Sequence, residues 1–184
     1  MVFYEWNWIA SKPPVEAESE LSSWKRTGRE EKGMPIPDDF QQLLQQERMA
    51  NEHFLAGDAG PVKMQWSHAD DVTICGGLGA YEKGWEQVGP RLDWAAAPFR
   101  AGHSTIEMLA MGTSGDLAYA VWIDRGQVRV AGRDEFSPMV LRITQIYRRE
   151  EGMWKVIHRH GDPITDEMEV SAILQQEGSQ DKRL

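Results

Sequence analysis

Cysteine is almost absent from this chain: Cys75 is the only one in 184 residues. That excludes an internal disulfide and any multi-cysteine metal site, so nothing calls for an oxidising compartment and the cytoplasm is the expected location. Cationic residues are also scarce. Lys and Arg total 20 against 29 Asp and Glu, which leaves a formal charge of -9 and a pI near 5.0. Nucleic acid and anionic membrane surfaces both demand clustered Lys and Arg, so neither is the expected partner. A small neutral or cationic ligand fits better. No apolar run approaches membrane-spanning length, and the segment Met1 to Ile9 carries Glu5 and no basic region, unlike a secretory leader. There are no internal repeats. No Ser-His-Asp elbow, phosphate-cradling loop or dinucleotide fingerprint is present, because Gly76-Gly77-Leu78-Gly79 lacks the strand-turn-helix setting of those motifs.

What the chain does have is tryptophan, eight of them, and a change of periodicity part-way along. Residues 1–37 hold Lys12-Pro13-Pro14, acidic clusters and Pro35-Ile36-Pro37, and read as an extension with one short helix around Leu21 to Trp24. Trp6, Trp8 and Trp24 are expected to dock on the body or on a second copy, since exposed indoles on a free tail are unfavourable. A helix is expected from Asp38 or Asp39, either of which could cap it. Phe40, Leu43, Leu44, Glu47, Ala50, Phe54 and Leu55 recur at three- and four-residue steps, and the helix ends near Gly57. A short helix over Pro61–Trp66 and a loop from His68 into a strand follow, with His68, Asp70 and Asp71 anchoring that loop. Helical spacing resumes from Tyr81 through Leu92 and Trp94, with Pro90 kinking or restarting the helix. From His103 the spacing becomes that of strands: His103–Met111, Leu117–Val130, Phe136–Arg149 and Met153–His160. Residues 163–184 suggest a tail helix carrying Val170, Ile173 and Leu174. Helices first and antiparallel strands afterwards describe an α+β fold with helices on one face of a curved sheet.

The final hairpin carries the strongest functional lead. If Glu151-Gly152 is its two-residue turn, Tyr147 lies opposite Val156, Gln145 opposite His158 and Ile143 opposite His160. One face then holds Leu141, Ile143, Gln145, Tyr147, Trp154, Val156, His158 and His160. The other holds Arg142, Thr144, Ile146, Arg148, Lys155, Ile157 and Arg159. The charged set belongs to solvent or an interface, so the first set should point inward. Gln145, Tyr147, His158 and His160 amid apolar neighbours have the makeup of a small-molecule site, and an imidazole can exchange a proton near neutral pH. The alternative is that both histidines satisfy buried backbone or tyrosine groups. Trp66, Tyr81, Trp85, Trp94 and Trp122 are candidates to wall the pocket, although ordinary core packing accounts for each as well. No metal is expected. A third ligand beside the two histidines would have to be Asp70 or Asp71, and His53, His68 and His103 have no recognised spacing. Cys75 reads as a small apolar strand residue.

The order of elements, the lead-in Ala69-Asp70-Asp71-Val72-Thr73-Ile74, the helix start at Gly84-Trp85 and the closing Tyr147 to His160 segment resemble nuclear transport factor 2-like proteins. Within them the likeness is to the SnoaL-like, ketosteroid isomerase-like branch. The Trp154 to His160 ending is also similar to the association domain of calmodulin-dependent kinases. The resemblance covers residues 38–162. It implies a cystatin-like cone, a curved antiparallel sheet wrapped around a long helix, open to a pocket and dimeric through the sheet. It also implies isomerase, dehydratase or cyclase chemistry without a cofactor, or a scaffold with no chemistry at all. One departure stands out. Where steroid isomerases place a proton-shuttling carboxylate at the end of the first strand, this chain has Cys75-Gly76, and Pro138 to Arg142 lacks the second acid. The expectation is a cone that binds a small, largely apolar molecule, with His158 or His160 working alongside Tyr147 and Gln145. The alternative is a non-catalytic binding or dimerisation module.

Overall fold

Pro37, with φ of -56°, closes the extended segment, and the first helix begins immediately after it. The computed structural model describes residues 35–164. The expectations for the tryptophans at 6, 8 and 24, the short helix near residue 21 and the tail helix fall outside those residues. Helix α1 spans Asp38–Phe54 and buries Phe40, Leu43 and Ala50. The cap position is taken by Pro37, not by Asp38 or Asp39. Both instead place negative charge in the first turn, where the helix dipole favours it, and Asp39 accepts a hydrogen bond from Trp154 Nε1 at 3.2 Å. Past the helix, Gly57 takes φ of +98°, and a Cβ there would lie 3.0 Å from the Phe99 carbonyl oxygen, so the chain reverses only with glycine.

Helix α2 is the single turn Gly60–Lys63, strand β1 is Thr73–Cys75, and strand β2 is Tyr81–Lys83. The sequence spacing predicts a helix from Tyr81, but the helix, α3, runs Trp85–Ala96 with Pro90 inside it. Gly84, at φ of +80°, separates the two elements. Four long strands follow: β3 Phe99–Ser114, β4 Leu117–Val130, β5 Ser137–Glu150 and β6 Met153–Pro163. They complete a six-stranded sheet in the order β2-β1-β6-β5-β4-β3. Among these strand pairings, β1–β6 alone is parallel. The curved sheet and its helices make the expected cone.

Glu151 and Gly152 both have positive φ, 50° and 82°, as a two-residue hairpin turn with right-handed strand twist requires. Tyr147 therefore pairs with Val156 as expected. Beyond that point the register shifts. Ile146 pairs with His158, Gln145 with Arg159, Thr144 with His160 and Ile143 with Gly161, because Ile157 is an extra residue in β6. A bulge exchanges the faces of everything after it. Trp154 and Val156 point inward as read from the sequence, but Arg159 takes the inward place assigned to the histidines.

The core gathers where α1 crosses the inner face of the sheet. The Phe40 ring meets Tyr147 edge-on at 5.0 Å between centroids and Trp154 at 5.4 Å. Each such pair adds about 0.5–1.5 kcal/mol beyond burial. Phe40→Leu keeps the site apolar but loses both, so a loss of about 2 kcal/mol is expected in urea denaturation.

Candidate functional site

A cavity of about 730 Å³ opens between α1, α3 and the concave face of the sheet. Its wall is mostly apolar, with Leu44, Phe54, Ile74, Leu92, Ile106 and Leu141 among the lining residues, and the Gly76 to Leu78 loop borders it. That loop is held by Arg91, whose Nη2 donates to the Gly79 carbonyl at 2.6 Å.

Polar groups enter this wall from α1, β4, β5 and β6. Glu47 and Asn51, one helical turn apart on α1, both line the cavity. Glu47 Oε2 accepts from the Tyr147 hydroxyl at 2.7 Å, and Oε1 accepts from Gln145 Nε2 at 2.7 Å. Gln145 Nε2 also reaches the Tyr147 oxygen at 3.0 Å, and Gln145 Oε1 accepts from Arg159 Nη1. Asp124, on the inner face of β4, lines the same cavity. Asn51 Nδ2 donates to Ser104 Oγ at 3.1 Å, and Ser104 in turn borders Asp124.

Burial dominates the electrostatics here. It pushes the Glu47 carboxyl up to about 7 against the hydrogen bonds of Tyr147 and Gln145 and the charge of Arg159. Asp124 is also raised, by loss of water, with Ser104 and Arg159 opposing. The Tyr147 phenol is held well above its ordinary value by burial and by the neighbouring Glu47, so it remains a donor at neutral pH. Burial draws the Arg159 guanidinium down, and the charges of Glu47, Asp124 and Tyr147 draw it back. A carboxyl poised near 7 can take or give a proton at neutral pH.

The residues singled out from the sequence are divided by this geometry. Gln145, Trp66 and Trp122 line the cavity. Tyr147 is fully buried behind the lining and reaches the site through Glu47. The inward placement of His158 and His160 is corrected, for the physical reason that the Ile157 bulge turns both to the outer face. His158 Nδ1 lies 2.8 Å from Thr73 Oγ1, and His160 is exposed. Burial and the adjacent His160 hold the His158 imidazole below its ordinary value. Three further expected wall residues lie elsewhere. Tyr81 is 69% exposed on the edge strand β2 opposite Cys75, Trp85 stacks on His68 at 3.9 Å, and Trp94 is exposed under the Arg91 guanidinium. Among the described residues, no group of three or more His, Cys, Asp and Glu is placed to hold a metal ion.

No family model matches the chain, and no curated protein does. Solved structures do. An NTF2-like protein of unknown function from Pseudomonas putida KT2440 superposes with a TM-score of 0.53 at 23% identity, covering 69% of this chain and 85% of that one. A protein with a cystatin-like fold from Caulobacter vibrioides gives 0.54 at 18% identity over 70% of this chain and 89% of the other. The S. rosetta CaMKII hub gives 0.54 at 18% identity over 71% and 99%. The fold is the NTF2-like one.

Within this NTF2-like cone the carboxyls come from elements that the isomerase comparison did not point to. Position 75 and the start of β5 lack acids, yet α1 supplies Glu47 and β4 supplies Asp124. Glu47 sits on the apolar stripe of α1, in series with Leu43, Leu44 and Ala50, and a charged residue on that stripe is the signal that could have found it. Arg159 had no such signal, because its direction depends on a bulge. Among the described residues no helix is long and apolar enough to cross a membrane.

Proposed function

We propose that the cavity binds a small, largely apolar molecule and that Glu47 transfers a proton to or from it, as in the isomerisations, dehydrations and cyclisations of the SnoaL-like branch. The observation that carries this reading is one carboxyl, raised to about 7, on the wall of a largely apolar cavity of about 730 Å³. Tyr147, Gln145 and Arg159 act as positioning residues, fixing both oxygens of Glu47 without entering the reaction. Hydrogen–deuterium exchange at the α-carbons of 2-decalone, followed by NMR, tests it. Base catalysis needs the ionised form, so the protein-dependent rate should rise through about pH 7 and level off above it. A rate indistinguishable from buffer at every pH would remove Glu47 from this role.

A second reading, a homodimer formed through the sheet, is supported by the outer face. Leu117, Tyr119 and Ile146 are exposed there, and Tyr119 pairs directly with Ile146 across β4 and β5. Apolar side chains grouped on a sheet face are typical of an interface. Ile146→Lys should shift the protein from dimer to monomer in sedimentation equilibrium while leaving the cavity intact. A wild-type protein that sediments as a monomer at high concentration removes this reading. We place the protein in the cytoplasm, in line with its single cysteine.

A further inference from the structure

The inner face of β4 holds two polar atoms that the Glu47 network does not use. Trp122 Nε1 and Asp124 Oδ1 are buried and have no hydrogen-bond partner among the described residues. Trp122 is 6% exposed and Asp124 4%, and both line the cavity. Two residues apart on one strand, they share a face at a spacing of about 7 Å along the chain. Their cross-strand neighbours are apolar: Met108 and Ile143 beside Trp122, Ile106 and Leu141 beside Asp124. The fold therefore leaves one donor atom and one acceptor atom without partners on the cavity side of β4, where Ser104 and the Arg159 guanidinium are the polar neighbours of Asp124. Each carries the penalty of a stranded buried group, which a ligand bonding to both would remove.

The pair discriminates among ligand groups. A ketone oxygen accepts from the indole N–H but has nothing to give Asp124. An ammonium gives to Asp124 and cannot accept. A carboxylate meets a second carboxyl. A hydroxyl does both at once, donating to Asp124 and accepting from Trp122. We propose that Trp122 and Asp124 form a hydroxyl-recognition subsite, so that the molecule held in the cavity is an apolar alcohol. This rests on the cavity-binding reading above and adds the substrate class to it.

The test is calorimetric titration of the full-length protein with decalin, 2-decalone and 2-decalol, which share a skeleton. Wild-type protein should bind 2-decalol at least about tenfold more tightly than either of the others. Trp122→Phe removes the N–H and should reduce that preference severalfold. Asp124→Asn offers an amide N–H to the ketone, so alcohol and ketone should come to bind within about twofold of one another. Both side chains lack partners at these atoms, so neither change breaks an existing bond there. Should Trp122→Phe fail to fold, Asp124→Asn alone decides. Equal binding of the three probes by the wild type, as an ordered water filling the pair would give, overturns the subsite and leaves the cavity reading standing. A preference that survives both substitutions likewise overturns it. Binding of none of the three overturns the subsite together with the cavity reading.

Discussion

Glu47→Gln should abolish protein-dependent proton exchange, lowering the 2-decalone rate by roughly 10²–10⁴, the usual contribution of a positioned general base. The amide keeps the size of the carboxyl and cannot ionise. The same substitution has a second readout in stability. Because burial raises the folded-state value to about 7 from the ordinary 4.5, the folded protein binds more protons than the unfolded chain between those limits. Wild-type stability should therefore be highest below about pH 4.5 as far as this group is concerned, fall as pH rises toward 7, and stay flat above. The full fall is on the order of 2–3 kcal/mol, since Glu47 is only half-buried and water relieves part of the penalty. The Glu47→Gln protein should lack that slope in urea denaturation across about pH 4.5–8. A variant that exchanges protons as fast as wild type would refute the base assignment. A variant that retains the slope would show that another group carries the titration.

How much of this was legible beforehand depends on whether a local rule governs the feature. Helix α1 announces itself by its apolar steps, and the two-residue turn at Glu151-Gly152 by its glycine. The four long strands are evident from alternation, and their order follows from short connections. Gln145 and the Tyr147 pairing with Val156 were also within reach, because both lie on the turn side of the bulge or on the strand without it. His158 and His160 were not. No local propensity marks Ile157 as an added residue, yet that one residue decides whether imidazole or guanidinium faces the cavity. Asp124 escapes a sequence reading for a different reason. In the alternation Ala118, Ala120, Trp122, Asp124 it falls on the inner face, but a lone acid there conflicts with burial unless a cation is close, and the cation is Arg159. The two omissions are thus one omission.

Arg159→Met should be the most destabilising single change in the cavity wall. The half-buried guanidinium donates to Gln145 and supplies the positive charge that opposes the rise of both Glu47 and Asp124. Methionine fills much of the same volume, so the loss is electrostatic rather than a void. Without the cation, Glu47 and Asp124 lose the charge that opposes their rise and Gln145 Oε1 loses its Arg159 donor. Breaking a desolvated charge arrangement by removing one partner costs about 3–5 kcal/mol, and that loss is expected in urea denaturation at about pH 8. At about pH 5 it should shrink, because Glu47, already raised to about 7 in the wild type, is protonated there in both proteins. Combining Arg159→Met with Glu47→Gln removes one of the stranded charges, so the double variant should regain a measurable part of the loss at the higher pH and little at the lower, a coupling that independent sites would not give. An Arg159→Met protein as stable as wild type under the alkaline condition would mean that water, not the guanidinium, balances the two acids. The ionised form of the carboxyl at the heart of the proposed chemistry would then owe nothing to this arginine.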